Sequence, residues 1–163
     1  ALSGWMGHAK PFAFELAYAA AGGVERMRVG TPPVLAMAAL EASLDIWDRV
    51  DIAEVRARSL ALTDLLISEV ERRCPSLKLV TPRAHERRGS QVSFAFDGGY
   101  AAMQALIARG VIGDFRAPDI MRFGITPLYI GESEIIHAAE IIEEVIAGEV
   151  WRRPEYQVVN AVT

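Results

Sequence analysis

Two stretches of this sequence carry side chains whose types and spacing could do chemistry. The first runs from Gly4 to Thr31, where Gly, Trp, His and Pro-Phe are followed by Gly-Thr-Pro-Pro. Trp5 carries an indole N–H that needs an acceptor when buried, and a ligand phosphate would serve. Thr31 offers a hydroxyl and a backbone N–H at the expected start of a helix, where anions bind readily. The second stretch runs from Gly113 to Tyr129, with Arg122 set among Ile120, Met121 and Phe123. An arginine in an apolar strand needs an anion, because burying an unpaired charge is costly. Either a structural carboxylate of the protein or a substrate carboxylate held bidentately would satisfy it. The residues alone leave both open.

The other polar groups have plainer readings. His8, His85 and His137 are far apart and lack metal-ligand spacing. His137 falls mid-helix as a packed or half-exposed side chain. Residues 83–88 are locally basic but lie between Pro82 and Gly89, which reads as a solvated loop. Gly22-Gly23 has no strand–loop–helix context for a phosphate loop, and Ser3 and Ser90 have no nucleophile-elbow setting. Cys74, the single cysteine, excludes an intramolecular disulfide and sits at a helix end as an inert thiol.

These candidates must be positioned by a fold that 163 residues, 52% hydrophobic and 23% charged, can build around a real core. A net charge of -4 argues against non-specific nucleic-acid binding, which needs dense positive charge. No run approaches the roughly 18 apolar residues of a spanning helix. No secretory signal opens the sequence, so the expectation is a cytoplasmic protein without membrane contact. The aromatic-rich opening, with Trp5, Phe12, Phe14 and Tyr18, reads as an interior loop of something larger. If exposed, Trp5, Phe12 and Phe14 would form an apolar patch that favours self-association.

Gly30-Thr31-Pro32-Pro33 is a rigid turn, and Thr31 is expected to cap a helix over 34–48 whose buried face is Leu35, Ala38, Ala39, Ala42 and Ile46. A second helix is expected from Ile52 to Arg73, burying Val55, Leu62, Leu65, Leu66 and Val70, pairing Glu69 with Arg73, and ended by Cys74-Pro75. Strands are predicted at 77–80, 91–96, 111–114 and 120–124, with Val92, Phe94 and Phe96 on one face. Helices are predicted at 99–109 and 132–147, the latter turning Ile135, Ile136, Ala139, Ile142 and Val145 inward and its glutamates mostly outward. The order αα-ββ-α-ββ-α gives an α+β sandwich: a small mixed or antiparallel sheet with helices on one side.

The segments GWMGH, PFAF, GTPPVL, GVIGDFRAP and RFGITPLY follow in an order and spacing that resembles the kynureninases, pyridoxal-phosphate (PLP) enzymes of the fold-type-I aminotransferase superfamily. The resemblance runs from Gly4 to about Tyr129 and covers less than half of a family member. It implies that residues 1–50 end a large cofactor domain, with an active-site loop and linking helix, and that 51–163 form the C-terminal small domain. It further implies that Trp5 and Thr31 contact the cofactor phosphate across the interface of a homodimer whose active sites are shared. By the same resemblance Arg122 grips the substrate α-carboxylate. The position after Trp5, often aromatic in the family, is Met6 here.

The reaction implied is hydrolysis of L-kynurenine, and of 3-hydroxykynurenine where the ring pocket admits it, to an anthranilate and L-alanine in tryptophan catabolism. No catalytic lysine is expected in this chain. Lys10 and Lys78 are its only lysines, and neither lies in the family's tyrosine–lysine motif, which carries the cofactor as a Schiff base and belongs upstream. The chain alone is therefore expected to be inactive and not to retain PLP. A cysteine desulfurase, an aminotransferase or a free-standing dimerisation or ligand-binding domain would also accommodate the fold.

Overall fold

The computed structural model describes residues 4–158. The chain divides into two compact units, one up to Val50 and one from Asp51 onward. The first unit is mostly turns. Short 3₁₀ helices at Trp5–Gly7, Pro11–Ala13 and Gly23–Met27 precede one α-helix, α1 (Val34–Leu44). The helix is shorter than the 34–48 expected and is followed by a 3₁₀ turn at Trp47–Arg49.

Two expectations about this unit are corrected. Thr31 does not cap α1: Pro33 occupies the N-cap position with φ -73° and ψ 83°, and no side chain caps the helix. Proline restricts the residue before it to extended backbone, so Pro32-Pro33 delays the helix until Val34. Nor does α1 have a buried face. None of its residues is buried, and Leu35 is 88% exposed.

The second unit holds the core. Helix α2 (Ile52–Arg73) starts where the Asp51 carboxylate accepts a hydrogen bond from the Ala53 N–H at 2.6 Å. It ends at Cys74-Pro75, as proline requires. Its buried side is Ser59, Leu62, Thr63, Leu66, Ile67 and Val70, while Val55 and Leu65 are only half-buried. Then come β1 (Lys78–Leu79), β2 (Gln91–Ala95), α3 (Gly99–Ile107), β3 (Asp114–Arg116), β4 (Ile120–Gly124), α4 (Glu132–Ala147) and the short α5 (Pro154–Gln157). The predicted strand at 111–114 begins three residues late, because Val111 N–H is engaged by the Leu106 carbonyl at the end of α3. Phe115, expected in a connecting loop, is instead the middle of β3, and a cis Ala117-Pro118 bond leads on to β4.

The sheet is antiparallel throughout, in the order β1-β2-β4-β3. Val92 lies opposite Phe123 and Phe94 opposite Met121, and all four are buried against α2, α3 and α4. The α+β expectation holds, with helices over one face. Phe96 stops short of full burial and stands edge-on to Trp151 at 5.2 Å. On α4 the buried set is Ile135, Ala139, Ile141, Ile142, Val145 and Ile146, whereas Ile136 turns outward. Arg73 pairs with Glu69 within α2 at 3.0 Å and ties α2 to α4 through Glu143 at 2.7 Å.

Three tests follow from this packing. Leu66→Ala should cost about 2–5 kcal/mol in urea unfolding of the chain, because Leu66 is 2% exposed. Leu35→Ala should stay within about 0.5 kcal/mol; an equal cost would mean that α1 is enclosed. Cys74 is buried, and that burial pushes its thiol up to about 11. Its thiolate is then about one part in a thousand near pH 8, so disulfide-exchange reagents should label it only as the chain unfolds.

Candidate functional site

Within the first unit, Trp5 sits in the turn Trp5–Gly7, about half exposed and edge-on to Phe12 at 5.7 Å. His8 fastens this turn. Its Nδ1 accepts from the Lys10 N–H at 2.9 Å, which leaves Nε2–H to donate to the Ala17 carbonyl at 3.2 Å. Tyr18 stacks edge-on to His8 and donates to the Gly7 carbonyl at 3.2 Å. An open cavity of about 360 Å³ borders Trp5, His8, Lys10, Phe14 and Tyr18.

Thr31 is exposed on the turn before α1. The backbone brings the two candidate phosphate donors into the same neighbourhood. Gly4 lies so close to Val29 that a Cβ would stand 1.9 Å from the Val29 oxygen, which only glycine tolerates. Trp5 follows Gly4 by one residue and Thr31 follows Val29 by two. The indole N–H and the backbone N–H of Thr31 can only donate, and the Thr31 hydroxyl can donate as well, a set that fits the acceptor oxygens of a phosphate group. Of the two lysines, Lys10 is exposed in the first unit and Lys78 is exposed on β1 of the second.

Arg122 belongs to the second unit, on β4. Its neighbours in sequence misplace it. Side chains alternate along a strand, so Met121 and Phe123 point into the core while Arg122 joins Asp114 and Ser93 on the other face of the sheet. The arginine is therefore not embedded in an apolar environment. It has a carboxylate partner, the structural alternative that the residues left open. Asp114, directly opposite on β3, accepts from Nε at 2.5 Å through Oδ1 and from Nη2 through Oδ2. Arg116 Nη2 lies 3.4 Å from the same carboxylate. An open pocket of about 340 Å³ adjoins Arg122, bordered by Gln91, Ile112, Gly113, Asp114 and Gly124.

The basic segment 83–88 hides a residue that composition did not single out. Arg88 is buried, its side chain 1% exposed, and it pairs with Asp64 of α2 while donating to the Arg83 carbonyl at 2.7 Å. His85 reaches the same Asp64 at 2.8 Å, and Arg56 donates to the His85 and Arg88 carbonyls. The segment is thus stapled to α2 rather than freely solvated. The i–j separation of 24 residues between Asp64 and Arg88 leaves no local sequence signal for the pair. His137 is exposed at 74%, and no group of His, Cys, Asp and Glu that could hold a metal occurs among the described residues.

The hydrogen bonds from Arg122 hold the Asp114 carboxyl below its ordinary value of 3.8, against a smaller upward push from desolvation. The same pairing raises Arg122. Because the folded value is depressed, the pair contributes fully above 3.8 and is lost as pH falls through the lower folded value. Carboxyl NMR should give Asp114 a midpoint below 3.8, returning to the ordinary range in Arg122→Leu.

Comparison with known proteins matches these elements to one family. The sequence model of the kynureninase C-terminal domain matches residues 55–142, more than half of the chain. The kynureninase of Pseudomonas fluorescens is 49% identical over 164 residues, covering 99% of this chain and 39% of the relative. Those of Burkholderia mallei (strain SAVP1) and Burkholderia pseudomallei (strain K96243) match at the same identity and coverage. The chain thus spans about two fifths of the length of these curated relatives. The sheet that carries Arg122 and Asp114 lies inside the matched region, and on this combined ground the chain belongs to the kynureninase family.

Proposed function

We propose that this chain is the C-terminal part of an enzyme that hydrolyses L-kynurenine to anthranilate and L-alanine, and that Arg122 holds the substrate α-carboxylate. The observation that carries the reading is the position of Arg122: on the sheet face away from the helices, beside an open pocket, within the region matching the kynureninase C-terminal domain. A carboxylate bound there gains charge-assisted, paired hydrogen bonds. Anchoring one end of the substrate also fixes the orientation of the bonds at its α-carbon, which is where such a reaction begins.

Trp5 and Thr31 would hold the phosphate of PLP, donating from the indole N–H and from the hydroxyl and backbone of Thr31. Bound PLP supplies an electron sink for charge developing at the substrate α-carbon. The residues present fit its phosphate end, and the lysine that bears it comes from outside this chain. A homodimer in which one subunit's Trp5 and Thr31 complete its partner's site, and a cytoplasmic location, complete the proposal. Among the described residues no helix is long and apolar enough to cross a membrane.

The Asp114 pair favours a second reading, in which Arg122 is only a structural ion pair. One substitution in the full-length protein separates the two. Arg122→Leu should lower kcat/KM for kynurenine by about 100-fold or more if the charge-assisted pair to substrate is lost. An unchanged kcat/KM would leave only the structural role. The 163-residue chain supplied with PLP should show no kynurenine hydrolysis, and turnover by it would overturn the assignment of the lysine to another segment.

A further inference from the structure

A guanidinium can receive a carboxylate on two paired edges, the side-on edge formed by Nε and Nη2 and the end-on edge formed by Nη1 and Nη2. In this structure Asp114 fills the side-on edge of Arg122 with both of its oxygens. We infer that Asp114 is a positioning residue that aims Arg122, leaving the end-on edge as the one that receives the substrate carboxylate. The inference rests on the reading of Arg122 as the carboxylate site.

Three features make the aim firm. Asp114 and Arg122 are directly opposed in the β3–β4 register, so their backbones are fixed at the ladder spacing. Gly113 keeps the strands close there: a Cβ would stand 2.6 Å from the Arg122 oxygen and 2.8 Å from the Met103 methyl. Arg116 Nη2 approaches Asp114 Oδ2, the oxygen that also accepts from Arg122 Nη2, at 3.4 Å. Two arginines and one aspartate leave one positive charge at the cluster, so the aspartate orients Arg122 without cancelling its attraction for an anion. A bare arginine on an exposed sheet face would sample many rotamers, and a ligand would have to order it on binding.

A charge that merely competes with substrate predicts the opposite outcome from one that aims. The test uses the full-length protein loaded with PLP and two probes, L-alanine and L-alaninamide, which differ at the carboxylate. Their affinities are read by equilibrium dialysis in Asp114→Asn, Asp114→Glu and Arg122→Leu. Asp114→Asn should weaken L-alanine about tenfold and raise KM for kynurenine similarly, with kcat little changed and L-alaninamide binding unchanged. Asp114→Glu keeps both acceptor oxygens and should recover part of the loss. Tighter L-alanine binding in Asp114→Asn would make Asp114 a competing charge and overturn the inference. Equal weakening of both probes would reduce it to a fold contact, with the same effect. If Arg122→Leu itself leaves L-alanine affinity unchanged, it is the reading of Arg122 that fails, whatever Asp114 shows.

Discussion

Everything in the second unit depends on the sheet having one dry face and one open face. Val92, Phe94, Met121 and Phe123 are drawn out of water against three helices, and that burial is the main favourable term in a domain whose one cysteine can form no internal disulfide. The pleat then decides the rest, because a residue between two core side chains on a strand must face the other way. Arg122 is delivered to the open face by the burial of its neighbours. A slip of one residue in β4 would drive the guanidinium into the core, so the hydrophobic register and the binding geometry are the same constraint.

The first unit follows a different logic. Its order comes from backbone contacts and the doubly engaged ring of His8 rather than from an apolar centre. Ala21 is its single buried apolar side chain among the described residues. Helix α1 carries apolar residues all round and covers none of them, a composition that elsewhere in proteins belongs to enclosed helices. The glycine at position 4 matters more here than any hydrophobic contact, because it permits two distant loop segments to touch.

The sequence was most legible where one periodicity ran unbroken. Ile52–Arg73 and Glu132–Ala147 follow from apolar spacing and from proline or glycine punctuation, and both bounds match the structure. Along 34–48 the spacing predicts the helix but not its exposure, because alanine and leucine spacing cannot say what lies opposite a helix. Arg122 shows a different limit. Its chemistry was legible from residue type and family resemblance, yet its carboxylate partner was left open because strand pairing between 114 and 122 is a tertiary fact. Arg88 was invisible for the same reason: a buried arginine looks like a surface one until Asp64 is placed beside it.

The margins of the sheet carry a final consequence. Its outermost strands are the two residues of β1 and the three residues of β3. Neither offers a row of free amides long enough to recruit a foreign strand, and Lys78, Asp114 and Arg116 place charges along both margins. A sheet this small, with one face uncovered, would otherwise be a template for cross-β stacking. Brevity and charge at its borders turn association with other chains toward side-chain surfaces and away from backbone pairing.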